Sequence, residues 1–94
     1  MTVEQIKEIV EPILRKNKVK RAALFGSMAR QNYKDSSDVD ILVELDDSLS
    51  LLDFVGIKLD LEEALNRKVD LVEYEAIKPA LKKYILSNPI PIYG

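Results

Sequence analysis

The apolar residues of this chain change period along its length, and that change narrows the possible folds more than any other feature. Ile6, Ile9, Val10, Ile13 and Leu14 recur at helical spacing behind a Thr2/Gln5 capping box, which predicts a helix over residues 3–16. Pro12 lies inside it and removes the hydrogen bond to Glu8, so a kink or break is expected there. Val19–Phe25 (VKRAALF), Val39–Leu45 (VDILVEL) and Lys68–Glu73 (KVDLVE) read instead as short strands. Ser27–Gln31 fits one or two turns of helix, and Asn32–Ser37 is polar loop. Ser50 offers an N-cap and Asp53 an N3 acid for a central helix running to about Leu65, whose apolar residues wrap more than one face. A helix of this kind is covered on two sides, by the sheet and by helix 1, the last helix or a partner chain. Ile77, Ala80, Leu81, Tyr84 and Ile85 stripe a last helix ended by Asn88-Pro89, with Tyr84 expected in the core. The tail Ile90-Pro91-Ile92-Tyr93 reads as extended and apolar. The order αβαβαβα predicts an α/β or α+β class, with strand order and direction left open.

Ninety-four residues, 47% hydrophobic and 32% charged, predict one domain over residues 1–94 with an open groove rather than an enclosed cavity. The chain has no histidine, cysteine or tryptophan. Ser-His and Cys-His nucleophiles, imidazole or thiolate zinc sites and disulfides are therefore excluded, and chemistry falls to carboxylates, hydroxyls, amines or borrowed metal ions. No apolar run has the length of a membrane span and the N-terminus lacks a signal layout, so a cytoplasmic location without membrane insertion is expected. A net charge of −2 argues against direct nucleic-acid binding. Bases cluster at Arg15, Lys16, Lys18, Lys20 and Arg21, ahead of an acidic run through Asp35, Asp38, Asp40, Glu44, Asp46, Asp47 and Asp53.

Asp38 and Asp40 are two apart, and since strand side chains alternate faces, both carboxylates point the same way. Like charges on one face of a core-forming strand cost stability unless a cation compensates, and magnesium suits one or two carboxylates plus phosphates. The bland alternative is an exposed strand start. Asp70 heads the third strand in the same apolar context, and three acids heading two strands can converge on a pair of metal ions, although Asp70 also reads as a solvent-facing strand residue. Gly26-Ser27 offers a phosphate site where a strand gives way to a helix, with Arg30 one turn on. The same residues also fit a strand end, a helix cap and a surface arginine.

Leu24-Phe25-Gly26-Ser27-Met28-Ala29-Arg30, Ser37-Asp38-Val39-Asp40-Ile41-Leu42-Val43 and Val69-Asp70-Leu71-Val72 together resemble the MNT-type minimal nucleotidyltransferases of the DNA polymerase beta superfamily, the antitoxins found beside HEPN ribonucleases. The resemblance runs through nearly the whole chain, including the central helix and Lys78-Pro79. Gln31 departs from it, standing where these proteins commonly have glycine. It implies a mixed sheet flanked by helices, with ATP and two magnesium ions. Gly26, Ser27 and Arg30 would bind the nucleotide. Asp38, Asp40 and Asp70 would hold metal and carry catalysis, with Asp70 also able to act as base for the attacking hydroxyl. The implied acceptor is a tyrosine of a partner HEPN toxin.

Two other readings stand beside an adenylyltransferase antitoxin. One is a binding module that neutralises its partner by contact, through the central helix and the apolar tail. The other is nucleotidyl transfer to a small molecule, for which a homo-oligomer would have to complete the acceptor site.

Overall fold

A computed structural model describes residues 2–26 and 38–94. Helix α1 spans Val3–Lys16, opened by the expected capping box: the Thr2 hydroxyl accepts the Gln5 N–H at 3.1 Å and Gln5 Oε1 accepts the Thr2 N–H at 2.8 Å. It continues through Pro12 rather than breaking. Pro12 and Glu8 both lie on the exposed side, where water can take the carbonyl that the missing N–H leaves unpartnered. Ile6, Val10 and Leu14 face inward.

Four strands follow: β1 (Val19–Phe25), β2 (Val39–Leu45), β3 (Val69–Glu73) and β4 (Ile90–Tyr93). Their order is β3-β2-β1-β4, with β1 antiparallel to both β2 and β4 and β2 parallel to β3. The parallel pair is the one joined by helix α2 (Leu51–Leu65), as a crossover of that length allows. The mixed α/β architecture expected of the chain is thus observed. The short helix expected at Ser27–Gln31 lies outside the described residues. The apolar tail is no loose extension: as β4 it closes one sheet edge, with Ile92 buried.

Alternation sorts the sheet into two faces. Val39, Ile41 and Val43 join Ile6, Val10 and Leu14 of α1 and Ile57, Leu61 and Leu65 of α2 in the main core. Phe25 and Leu42 meet Ile77 in a smaller cluster on the opposite face, flanked by Val72, Tyr74, Ile85 and Leu86. The last helix, α3 (Pro79–Ile85), starts at Lys78-Pro79 as the resemblance implies, but the helical stripe expected from Ile77 does not form. It begins only at Pro79, because Lys78 before the proline is held extended, and Ile77 packs as part of the preceding strap. Leu81 and Tyr84 are 49% and 56% exposed, so Tyr84 is not a core residue.

Helix α2 is set by a second capping box, in which Asp53 Oδ2 accepts the Ser50 N–H at 2.8 Å and the Ser50 hydroxyl accepts the Asp53 N–H at 3.2 Å. It ends at Asn66, whose φ of 52° is the left-handed conformation asparagine tolerates. No described helix is long and apolar enough to cross a membrane.

Two outcomes follow from this packing. Leu61→Ala, at a fully buried site between α1 and the sheet, should cost about 2–5 kcal/mol in denaturant unfolding. The Ser50 hydrogen bonds hold Asp53 below its ordinary pKa of 3.8, so its stabilising contribution is complete above pH 3.8 and lost as pH falls through the lower folded value. Asp53→Asn should therefore flatten the dependence of Tm on pH below 3.8.

Candidate active site

The two-helix layer decides where the acids go. With Val39, Ile41 and Val43 committed to the main core, Asp40 shares the opposite face with Leu42, and Asp38 lies exposed just ahead of β2. On β3, Val69 and Leu71 enter the main core while Asp70 faces away with Val72. The β2/β3 register then sets Asp40 opposite Asp70, and the β1/β2 register sets Asp40 opposite Phe25. Three strand ends therefore meet at one place: the close of β1 and the starts of β2 and β3. Asp38 and Asp70 are exposed and Asp40 is half-buried, so this is the open site that a small chain was expected to have.

Gly26 belongs to the same place for a steric reason. Its φ is 66°, a conformation that residues with a Cβ rarely adopt, and a Cβ built there would collide with Asp40 Oδ2 and lie 3.1 Å from its Cγ. Only glycine lets the chain leaving β1 pass this close to the Asp40 carboxylate. Ser27 and Arg30, the other two expected nucleotide-binding residues, lie outside the described residues.

Among the described residues, no three acidic side chains are drawn together tightly enough to form a ready-made metal cage. What the site offers is a register pair, Asp40 and Asp70, with Asp38 one strand repeat from Asp40. Asp40 and Asp70 present hard oxygen donors on one face, the donor type that magnesium takes together with substrate phosphates, and Asp38 adds an exposed carboxylate ahead of β2. The donor set and the glycine cradle beside it fit a magnesium-bound triphosphate.

One supporting residue was not singled out from the sequence. Glu62, on α2, reaches around to accept the Val69 N–H at 2.9 Å through Oε2. Val69 precedes Asp70 on an edge strand, and the neighbouring Lys68 carbonyl accepts the Val39 N–H at 2.9 Å. The Glu62 bond thus fixes the entry of β3 next to β2 and with it the Asp40/Asp70 pairing. Glu62 and Glu63 are alike in local pattern, so nothing in the linear sequence distinguishes the one that turns inward.

Two substitutions probe this geometry. Gly26→Ala should strain the turn and displace the Asp40 carboxylate, lowering Tm and weakening magnesium binding in calorimetric titration. Glu62→Ala should destabilise the fold by about 1–3 kcal/mol, and Glu62→Gln, which keeps a carbonyl acceptor, by less.

The comparisons with known proteins show the family. The family "Polymerase beta, Nucleotidyltransferase" matches residues 4–94. A Methanocaldococcus jannaschii relative is 47% identical over 92 residues, covering 98% of this chain and 99% of its own. "Protein adenylyltransferase MntA" of Thermococcus cleftensis is 34% identical over 94 residues, covering 96% of this chain and 95% of its own. Among solved structures, a tri-AMPylated Shewanella oneidensis HEPN toxin in complex with MNT antitoxin is similar at a TM-score of 0.75 and 25% identity, over 97% of this chain and 71% of that one. With the register-paired aspartates, the glycine at the close of β1 and a match spanning all but the first three residues, the chain belongs to the polymerase beta nucleotidyltransferase family, as a nucleotidyltransferase of the MNT type.

Proposed function

We propose that this chain transfers AMP from ATP to a tyrosine hydroxyl of a partner HEPN toxin and so acts as the antitoxin of a toxin–antitoxin pair. The observation that carries the reading is the pairing of Asp40 with Asp70 beside the Gly26 turn on an open sheet face. The names of the relatives support the substrate class: one is a protein adenylyltransferase, and another structure holds an AMPylated HEPN toxin with its MNT antitoxin.

In this reading Gly26, Ser27 and Arg30 hold the triphosphate, through backbone N–H groups, a hydroxyl and a guanidinium. Asp38 and Asp40 hold two magnesium ions, and Asp70 completes the site nearer the acceptor. Bound magnesium supplies charge neutralisation on the phosphate oxygens and lowers the pKa of the attacking hydroxyl. The acceptor oxygen forms a bond to the α-phosphorus, the bond from that phosphorus to the bridging oxygen of the β-phosphate breaks, and pyrophosphate leaves with the electron pair. Asp70 accepts the hydroxyl proton. The exposure of Asp38 and Asp70 suits this acceptor, because a tyrosine on another protein can approach an open face that would not enclose a small molecule. ATP as donor fits a cytoplasmic location.

The test compares ATP labelled at the α-phosphate with ATP labelled at the γ-phosphate, in lysate of the source cell with magnesium. Label from the α position should appear on one protein band at tyrosine, with none from the γ position. Asp40→Asn should abolish it without loss of folding. Transfer of γ label would mean a kinase. Full protection from the toxin by a doubly substituted Asp38→Asn/Asp40→Asn chain would mean that contact alone neutralises the partner.

A further inference from the structure

Strand β3 stands at the edge of the sheet beside the acids, and the fold uses only half of its backbone. The Val39 N–H donates to the Lys68 carbonyl at 2.9 Å, which turns the backbone groups of Lys68, Asp70 and Val72 toward β2. Successive residues of a strand alternate, so the N–H and C=O groups of Val69, Leu71 and Glu73 point to the side where the sheet has no further strand.

Glu62 gives the same direction independently, because its carboxylate reaches the Val69 N–H from α2 and not from β2. That bond closes the edge at its first donor. The N–H and C=O of Leu71 and the N–H of Glu73 remain, on the outer side of the strand that carries Asp70. A run of strand donors and acceptors without a neighbouring strand is a template for adding one.

The length of this edge selects the occupant. Charge does not, since Glu62, Asp70 and Glu73 lie along it with Arg67 and Lys68 at its start and Arg21 stacked on Tyr74 at its end. With Val69 capped, a second copy pairing through Leu71 and Glu73 would bury far less than the roughly 1,200 Å² of a stable complex. So short a ladder suits a substrate segment, which must bind and then leave. We propose that the outer edge of β3 binds the acceptor protein as an added antiparallel strand, with the acceptor tyrosine opposite Asp70. The proposal rests on the acceptor being a protein tyrosine. Leu71 exchanges both of its bonds with the residue before the tyrosine, and the Glu73 N–H takes the carbonyl of the residue three before it. The tyrosine and Asp70 then form a pair without mutual hydrogen bonds, the kind whose side chains approach most closely on one face. The residue after the tyrosine meets Val69, whose N–H Glu62 already holds, so the added strand ends there.

The test has two arms. In the first, Glu73→Pro removes the outward N–H without touching the bonds to β2, as an edge strand tolerates, while Glu73→Ala removes the side chain alone. With the acceptor that takes α label, Glu73→Pro should raise KM about fivefold and leave kcat and Tm nearly unchanged, and Glu73→Ala should leave KM as it is. In the second, the photo-crosslinking residue p-benzoylphenylalanine replaces Glu73 in an Asp40→Asn chain in the source cell, and the crosslinked peptide is sequenced. The crosslink should fall within one residue of the position three before a tyrosine. This arm reads docking without transfer, so a crosslink in that register from a chain that transfers no label would fault the catalytic reading alone. A crosslink to a second copy or to a peptide without a tyrosine at that distance would overturn the proposal. So would the absence of any crosslink, or a KM that Glu73→Pro leaves unchanged or that Glu73→Ala raises equally.

Discussion

The site depends on the parity of β2. Val39, Ile41 and Val43 fill the main core beneath α1 and α2, so the alternate positions, Asp40 among them, must face the other way. A shift of one residue would bury Asp40 among the aliphatic side chains of the main core and withdraw Val39, Ile41 and Val43 from it. The hydrophobic pattern that folds the sheet therefore also keeps the carboxylates pointing outward. Because β3 obeys the same rule in parallel register, Asp70 arrives opposite Asp40 without any separate device to steer it.

Placing like charges side by side on paired strands is unfavourable, and the surrounding fold compensates for it mechanically. β3 is an edge strand, paired on one side only, and its first residue is held by Glu62 from α2. The helix that covers the back of the sheet thus reaches around its rim to fix the acid on the front. At the other side of Asp40, the positive φ of Gly26 lets the chain turn away against the carboxylate itself. Asp40 is therefore constrained by its neighbours on β1 and β3, while Asp38 and Asp70 stay accessible to ligands from solvent.

Helix α2 serves both the core and the sheet edge. One face supplies core residues, while Glu62, three residues on from the exposed Leu59, reaches the start of β3. Helix α3, on the opposite side of the sheet, is short and covers only Ile85 in part, the buried Ile77 lying in the strap ahead of it. Among the described residues the result is asymmetric: a back well covered by α1 and α2, and a front with the acids that is covered by the Ile77 strap and α3.

Much of this was legible in the linear sequence. Periodicity located α1, α2 and three of the strands, and capping residues marked both long helices at Thr2 and Ser50. These are local properties, set by φ/ψ preferences and side-chain alternation within a few residues. Long-range contacts decided the rest. Strand order and the pairing of Asp40 with Asp70 follow from how β2 and β3 share the α2 layer. Pairing with β1 turned the tail at Ile90–Tyr93 into an edge strand, and packing through Ile77 and Ile85 left Tyr84 outside the core. Glu62 shows the division most plainly: its helical position was visible, but its partner at Val69 exists only once β3 has folded back beside the helix, because a hydrogen bond between a side chain and a strand edge has no signature in the residues that make it.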